Sequence, residues 1–238
     1  MRIFIFIIMN NKIKRFCLKI FILFLFLIFG LSNSYTQTND AAMWFSINVE
    51  KKITPLLSAK FSEEIRLNEN ISELDNYLND MGVEYELINN VKISANYRFS
   101  LKKKLDNSYK NRHRYYFDLS IREKFKPFII LFRTRFQSQY SEMFSSSTGK
   151  IPENYSRNKL TVKFDFDKKY SPYIYSELFY SLNNNEGNII DNMRYCAGVE
   201  YKFNRKSALN FFYLIQNEMN VNDPLTEFIV GLKFDFTF

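Results

Sequence analysis

After residue 40 apolar and polar residues alternate with a period of two, and no window there sustains the 3.6-residue period of an amphipathic helix. In 91–101 the odd positions are Val91, Ile93, Ala95, Tyr97, Phe99 and Leu101, and the even ones Lys92, Ser94, Asn96, Arg98 and Ser100. The same alternation runs through 160–166, 193–203 and 228–238. Successive side chains of a strand point to opposite faces, so each segment carries one apolar and one charged face. The pattern predicts eleven strands, near 43–53, 56–67, 81–88, 91–101, 112–122, 128–140, 157–167, 173–182, 193–203, 207–217 and 226–238. Most are longer than the usual five or six residues of a globular strand. They match the roughly 9–11 residues that cross a bilayer as a tilted strand.

The connections alternate in length. Short turns are expected at Thr54-Pro55, Asn89-Asn90, 123–127, 168–172 and Asn204-Arg205-Lys206, and long polar loops at 68–80, 102–111, 141–156, 183–192 and 218–225. Short turns at one end and long loops at the other are the arrangement of an outer-membrane barrel. A soluble barrel would turn its apolar stripe inward, but this many strands enclose an interior too wide for side chains to fill. Turned outward into lipid the stripe needs no filling, and a closed sheet satisfies its backbone. The expected fold is therefore all-β: an antiparallel transmembrane β-barrel of 10–12 strands. Twelve is favoured, because single-chain bacterial barrels have even numbers. A soluble β-sandwich or barrel is the alternative. Tyr97, Phe99, Tyr140, Tyr173, Tyr195, Tyr201, Tyr213 and Phe236, at the ends of stripes, suit interfacial girdles. Glu63 fits poorly: by parity it falls on the lipid face, unless a bulge intervenes or the strand has left the hydrocarbon.

The start of the chain has a different pattern. Residues 20–31 form an uncharged apolar run, preceded by Lys12, Lys14, Arg15 and Lys19 and followed by Ser32 and Ser34. This is the layout of a secretory signal, too short for a stable membrane anchor. Cleavage is expected between residues 34 and 37, leaving 35–238 as a single barrel domain. The stretch 1–34 holds five of the 33 basic residues and none of the 25 acidic ones, so the net charge falls from +8 to +3. The basic balance is therefore no evidence for nucleic-acid binding. Cys17 leaves with the signal and Cys196 remains alone, so no internal disulfide is expected.

The charged face must lie inside, where charges need partners. Glu64, Arg66, Glu84, Glu86, Arg98 and Arg114 fall on that face of strands two to five and are expected to meet across the wall. They would serve as an ion-pair network that shuts a narrow lumen, or as a selectivity ring or polar ligand site. Arg122, Arg133 and Arg135 form a second, basic patch. His113 is the only histidine; it sits near the rim on the lipid-facing parity, the place a lipid hydrolase would use. No Gly-x-Ser-x-Gly elbow, metal-ligand cluster or phosphate-cradling glycine loop accompanies it, so no catalytic residue, metal or cofactor is assigned.

The ending Leu232-x-Phe234-x-Phe236-x-Phe238 resembles the terminal signature of outer-membrane proteins read by the barrel-assembly machinery. The mature chain resembles the family called domain of unknown function 2490, outer-membrane barrels of Bacteroidetes. The resemblance is carried by Trp44, Glu64-Ile65-Arg66, Tyr85, Tyr97-Arg98-Phe99, Arg114 and Gly231-Leu232. It implies location and architecture and no activity. The expectation is a monomeric outer-membrane protein of Gram-negative cells, with lipid and the assembly machinery as partners. Its role would be structural or that of a passive small-solute channel with a charged, narrow lumen. A lipid-modifying enzyme at the rim, and an adhesion barrel using loops 68–80 and 141–156, are the alternatives.

Overall fold

The computed structural model describes residues 38–104, 106–141, 152–166, 169–183, 189–221 and 223–238. The signal read at 1–34, its cleavage point before residue 37 and the loop 142–149 lie outside them. Eleven strands follow in order: β1 (Thr38–Lys52), β2 (Leu57–Asn68), β3 (Glu73–Ile88), β4 (Val91–Lys103), β5 (Tyr109–Phe125), β6 (Phe128–Tyr140), β7 (Glu153–Phe164), β8 (Tyr170–Ser181), β9 (Ile189–Lys202), β10 (Ser207–Glu218) and β11 (Leu225–Thr237). They form one closed barrel in sequence order.

The expectation of twelve strands is corrected to eleven. Up-and-down alternation over an odd number leaves the first and last strands pointing the same way, and β1 pairs with β11 in parallel. The faces still match across this seam. Phe45, Ile47 and Val49 lie beside Leu232, Phe234 and Phe236 on the outside, and Trp44 and Asn48 beside Gly231 and Asp235 on the inside. Asn48 Nδ2 donates to Asp235 Oδ1 at 2.8 Å, and Phe238 N donates to Glu50 O at 2.8 Å. The three terminal-signature residues of β11, Leu232, Phe234 and Phe236, thus belong to the outer face, and Phe238 closes the seam through its backbone.

Short turns are held by local side chains: Thr54 Oγ1 accepts from Leu57 N at 3.0 Å, and Asn204 Oδ1 accepts from Lys206 N and Ser207 N at 2.7 and 2.9 Å. At the other end the strands run further than the alternation foretold, and β3, β5, β7 and β9 begin inside segments read as loops. The links there are 4, 5, 12, 7 and 6 residues, against 4, 2, 2, 5 and 4 at the short-turn end. The reason is clearest in 68–80. The β2–β3 register shifts between Arg66 and Leu67, and Asp75 and Asn76 are both buried, so a bulge breaks the period of two while pairing continues.

The outer face is apolar over its height, with Ile47, Phe61, Met81, Phe117, Phe136 and Phe211 exposed. Of the eight aromatics read as girdle residues, Tyr173 is the exception: it turns inward. Glu63 stays on the outer face, since the bulge lies beyond it, and accepts a hydrogen bond from the Tyr77 hydroxyl at 3.3 Å.

Candidate functional site

The inner wall is where charge concentrates. At mid-height a layer of side chains crosses the lumen. Glu177 on β8 receives Arg133 (β6) at 2.5 Å, Arg157 (β7) at 2.8 Å and Arg194 (β9) at 3.9 Å. Asp80 on β3 is gripped by Arg98 through two nitrogens at 2.6–2.9 Å and accepts the Tyr116 hydroxyl at 2.8 Å. Arg135 forks onto Asp118 at 2.6 and 2.7 Å. Guanidinium planes lie over rings: Arg66 over Trp44 at 3.8 Å, Arg135 over Tyr116 at 3.8 Å and Arg157 over Phe179 at 4.1 Å. Such stacking suits a delocalised, weakly hydrated cation taken out of water.

The layer is packed. Leu214 and Ile229 are 0% exposed, Glu177 2%, Arg157 6% and Arg135 7%. Below it a cavity of about 800 Å³ is lined by residues that reach from Trp44 and Arg157 to Glu50, Lys163 and Thr237 beside the short turns. The layer thus closes its inner end. Side chains become more exposed toward the short-turn end, with Lys60 at 37% and Lys92 at 42%. Eleven basic and eight acidic side chains line the cavity, an excess of three positive charges.

One side of the cavity is apolar and is built on glycine. Across five neighbouring strands the register sets Tyr173, Gly198, Phe212, Gly231 and Trp44 in one row. A Cβ on Gly198 would lie 2.6 Å from Tyr173 Cζ, and one on Gly231 would run into the Phe212 ring. The missing side chains are what let the rings lie flat against the wall. Behind them Ala42, Trp44, Cys196, Leu214 and Ile229 form a small buried cluster inside the barrel.

The six charges read as one network all face inward but separate into groups. Glu64 pairs with Arg66. Glu84 pairs with Lys60 and, at 2.9 Å, with Lys92, whose ammonium is 4.0 Å from Glu86, nearer the short turns. Arg98 takes Asp80, and Arg114 hydrogen-bonds Gln139 instead of a carboxylate. Of the second patch, Arg133 and Arg135 join the layer, while Arg122 is exposed beside the Asn90 turn. Asp80, Glu177 and the aromatic row were not among the candidates. Asp80 sits in the stretch whose alternation is broken, and the cations of Glu177 come from three strands that only the register brings together. His113 lies on the outer face, its Nδ1 2.6 Å from the Tyr97 hydroxyl and its ring 5.5 Å from that of Phe99.

Comparison with curated proteins found no match. Among solved structures the barrel is similar to a bacterial polysaccharide outer membrane secretin, at a TM-score of 0.52 and 10% identity over 79% of this chain and 67% of that one. It is also similar to the NanC porin, at a TM-score of 0.46 and 13% identity over 74% and 86%. A third is outer-membrane expressed OmpT of Vibrio cholerae, at 0.39 and 12% over 68% and 54%. At these identities the likeness is one of fold, that of outer-membrane barrels. The family described as "Protein of unknown function (DUF2490)" matches residues 41–226, and the chain belongs to it.

Proposed function

We propose that this protein is an outer-membrane barrel, its apolar outer face in lipid and its short turns in the periplasm, whose lumen is sealed at mid-height by side chains. It presents a charged cup to the periplasm and is no open pore. The observation that carries this reading is the burial of the mid-lumen layer: inner-wall groups such as Leu214, Ile229 and Glu177 would face water in an open channel, yet they are 0%, 0% and 2% exposed. Solute passes only when the arginine–aromatic layer gives way. The outer face supports the location, because a soluble protein would not expose so continuous an apolar surface.

Single-channel recording in planar bilayers tests the seal. The wild type is expected to be silent, and Arg157→Ser with Trp44→Ala, which thin the layer from two sides, to conduct. Steady wild-type current would overturn the sealed reading. Recovery of the folded chain with soluble periplasmic proteins would overturn the location.

A further inference from the structure

The charges around Glu177 do not balance. Arg133, Arg157 and Arg194 approach its carboxylate, and Lys159 is its direct cross-strand neighbour on β7. Four cations around one carboxylate leave an excess of positive charge in this half-buried part of the wall. Among the described residues Lys159 has no ion-pair partner; its ammonium lies 3.5 Å from the centre of the Tyr175 ring. Arg133, directly opposite Lys159 in the ladder, keeps a buried Nε with no hydrogen-bond partner among the described residues. Like charges set opposite each other in a sheet repel, and a buried donor left unpaired is costly. Both residues line the cavity, and so do Tyr173, Tyr175 and Phe212 on the strands that follow.

We propose that the cup binds a small organic carboxylate, its anionic group held by Lys159 and Arg133 and its body lying on Tyr173, Tyr175 and Phe212. The proposal takes up the cup of the preceding section and in that respect rests on it. The cation pair supplies what a carboxylate needs: a point charge and, directly opposite it in the ladder, a guanidinium, both half-buried in the wall of the cavity. A bare inorganic ion would leave the ring wall unused. Gly198 and Gly231 hold that wall flat, the shape a planar ring or a sugar face requires. A cavity of about 800 Å³ accommodates such a ligand with water to spare.

Trp44 is the only tryptophan, and it lines the same cavity. Its fluorescence in detergent-solubilised, folded protein at low salt reports binding. Benzoate and glucuronate serve as probes, and benzamide and glucose as neutral counterparts. At least one carboxylate is expected to give a saturable change, weakened tenfold or more by Lys159→Met and by Arg133→Gln, while the neutral compounds give none. Lys159→Met removes a half-buried charge set directly opposite another cation, so it is expected to fold at least as well as the wild type. A cold gel-shift assay verifies this. The proposal is overturned if neither carboxylate binds the wild type, if both variants bind as tightly, or if the neutral compounds bind as well. Binding is scored independently of conductance: should the wild type prove to be an open pore, the same probes would be expected to block its current, so the two readings fail separately.

Discussion

Replacing Gly198 with alanine should cost the barrel stability, although alanine for glycine in a regular strand is ordinarily a gain of about 0.5–1 kcal/mol. The added Cβ would stand 2.6 Å from Tyr173 Cζ, 2.7 Å from its hydroxyl oxygen and 2.9 Å from the carbonyl oxygen of Phe211. Ordinary carbon contacts begin near ~3.5 Å, so the shortfall is about 1 Å against the ring. The ring can swing toward the cavity, but the carbonyl belongs to the neighbouring ladder and yields little. Overpacking of this kind costs about 1–3 kcal/mol, which outweighs the entropic gain and leaves a net loss of ~1–2 kcal/mol. Urea titration of protein refolded into lipid vesicles, followed by Trp44 fluorescence and by heat-modified gel mobility, measures it. With a slope of about 2 kcal/mol per molar urea, the midpoint should fall by roughly 0.5–1 M. The double variant Gly198→Ala, Tyr173→Ala separates the two obstacles. If the ring is the larger, the pair should lose less than the sum of the single losses by at least ~0.5 kcal/mol. A Gly198→Ala protein as stable as the wild type, or strict additivity with Tyr173→Ala, would refute the idea that the aromatic row rests on its glycines.

Three further outcomes are expected. Glu177→Gln strips the one carboxylate from its ring of cations and should destabilise the barrel by about 3–5 kcal/mol in the same titration, part of which Arg157→Met restores. Glu63→Leu removes a carboxylate from the apolar outer face and should raise stability by about 1 kcal/mol, a sign that unfolding in vesicles reads directly. The parallel seam puts the start of β1 at the long-loop end, so a cysteine at Asn39 should react with a membrane-impermeant maleimide on intact cells, whereas one at Arg205 in a short turn should react only after lysis.

How much of this was legible in the chain follows from what a period of two can carry. It identifies the two faces: the strands' polar parity put Glu64, Arg98, Arg135 and Glu177 inside, where they are found, and the apolar parity put Phe45, Phe117 and Phe211 outside. It fails where a bulge resets the phase, and so β3 appeared to begin near residue 81 when pairing starts at Glu73. It is silent about partners, because which residues meet depends on register. Lys159 follows Arg157 by two, and nothing local reveals that it stands between Arg133 and Glu177. Tyr173 reads as a girdle residue because an aromatic at the edge of an apolar stripe fits lipid interface and lumen equally. It shares the parity of Glu177 on the same strand, and that parity places it inside, where β8–β9 pairing sets it beside Gly198.

The seal and the cup have one origin in the width of the barrel. Eleven strands enclose a space that aliphatic side chains cannot cross, and inner-face aliphatics such as Leu78, Leu214 and Ile229 are buried. Arginine is long enough to reach inward, and its flat guanidinium can end on a ring as well as on a carboxylate. Filling a wide lumen this way brings in more cations than the wall has carboxylates to pair, since each ring accepts a cation without neutralising it. The arginines on Trp44, Tyr116 and Phe179 also reach Glu64, Asp118 and Glu177, whereas Lys159, on the Tyr175 ring, has no such partner among the described residues. The excess positive charge of the cavity is therefore a consequence of how the layer above it is filled. An anion entering from the short-turn end would supply the charge that the rings cannot.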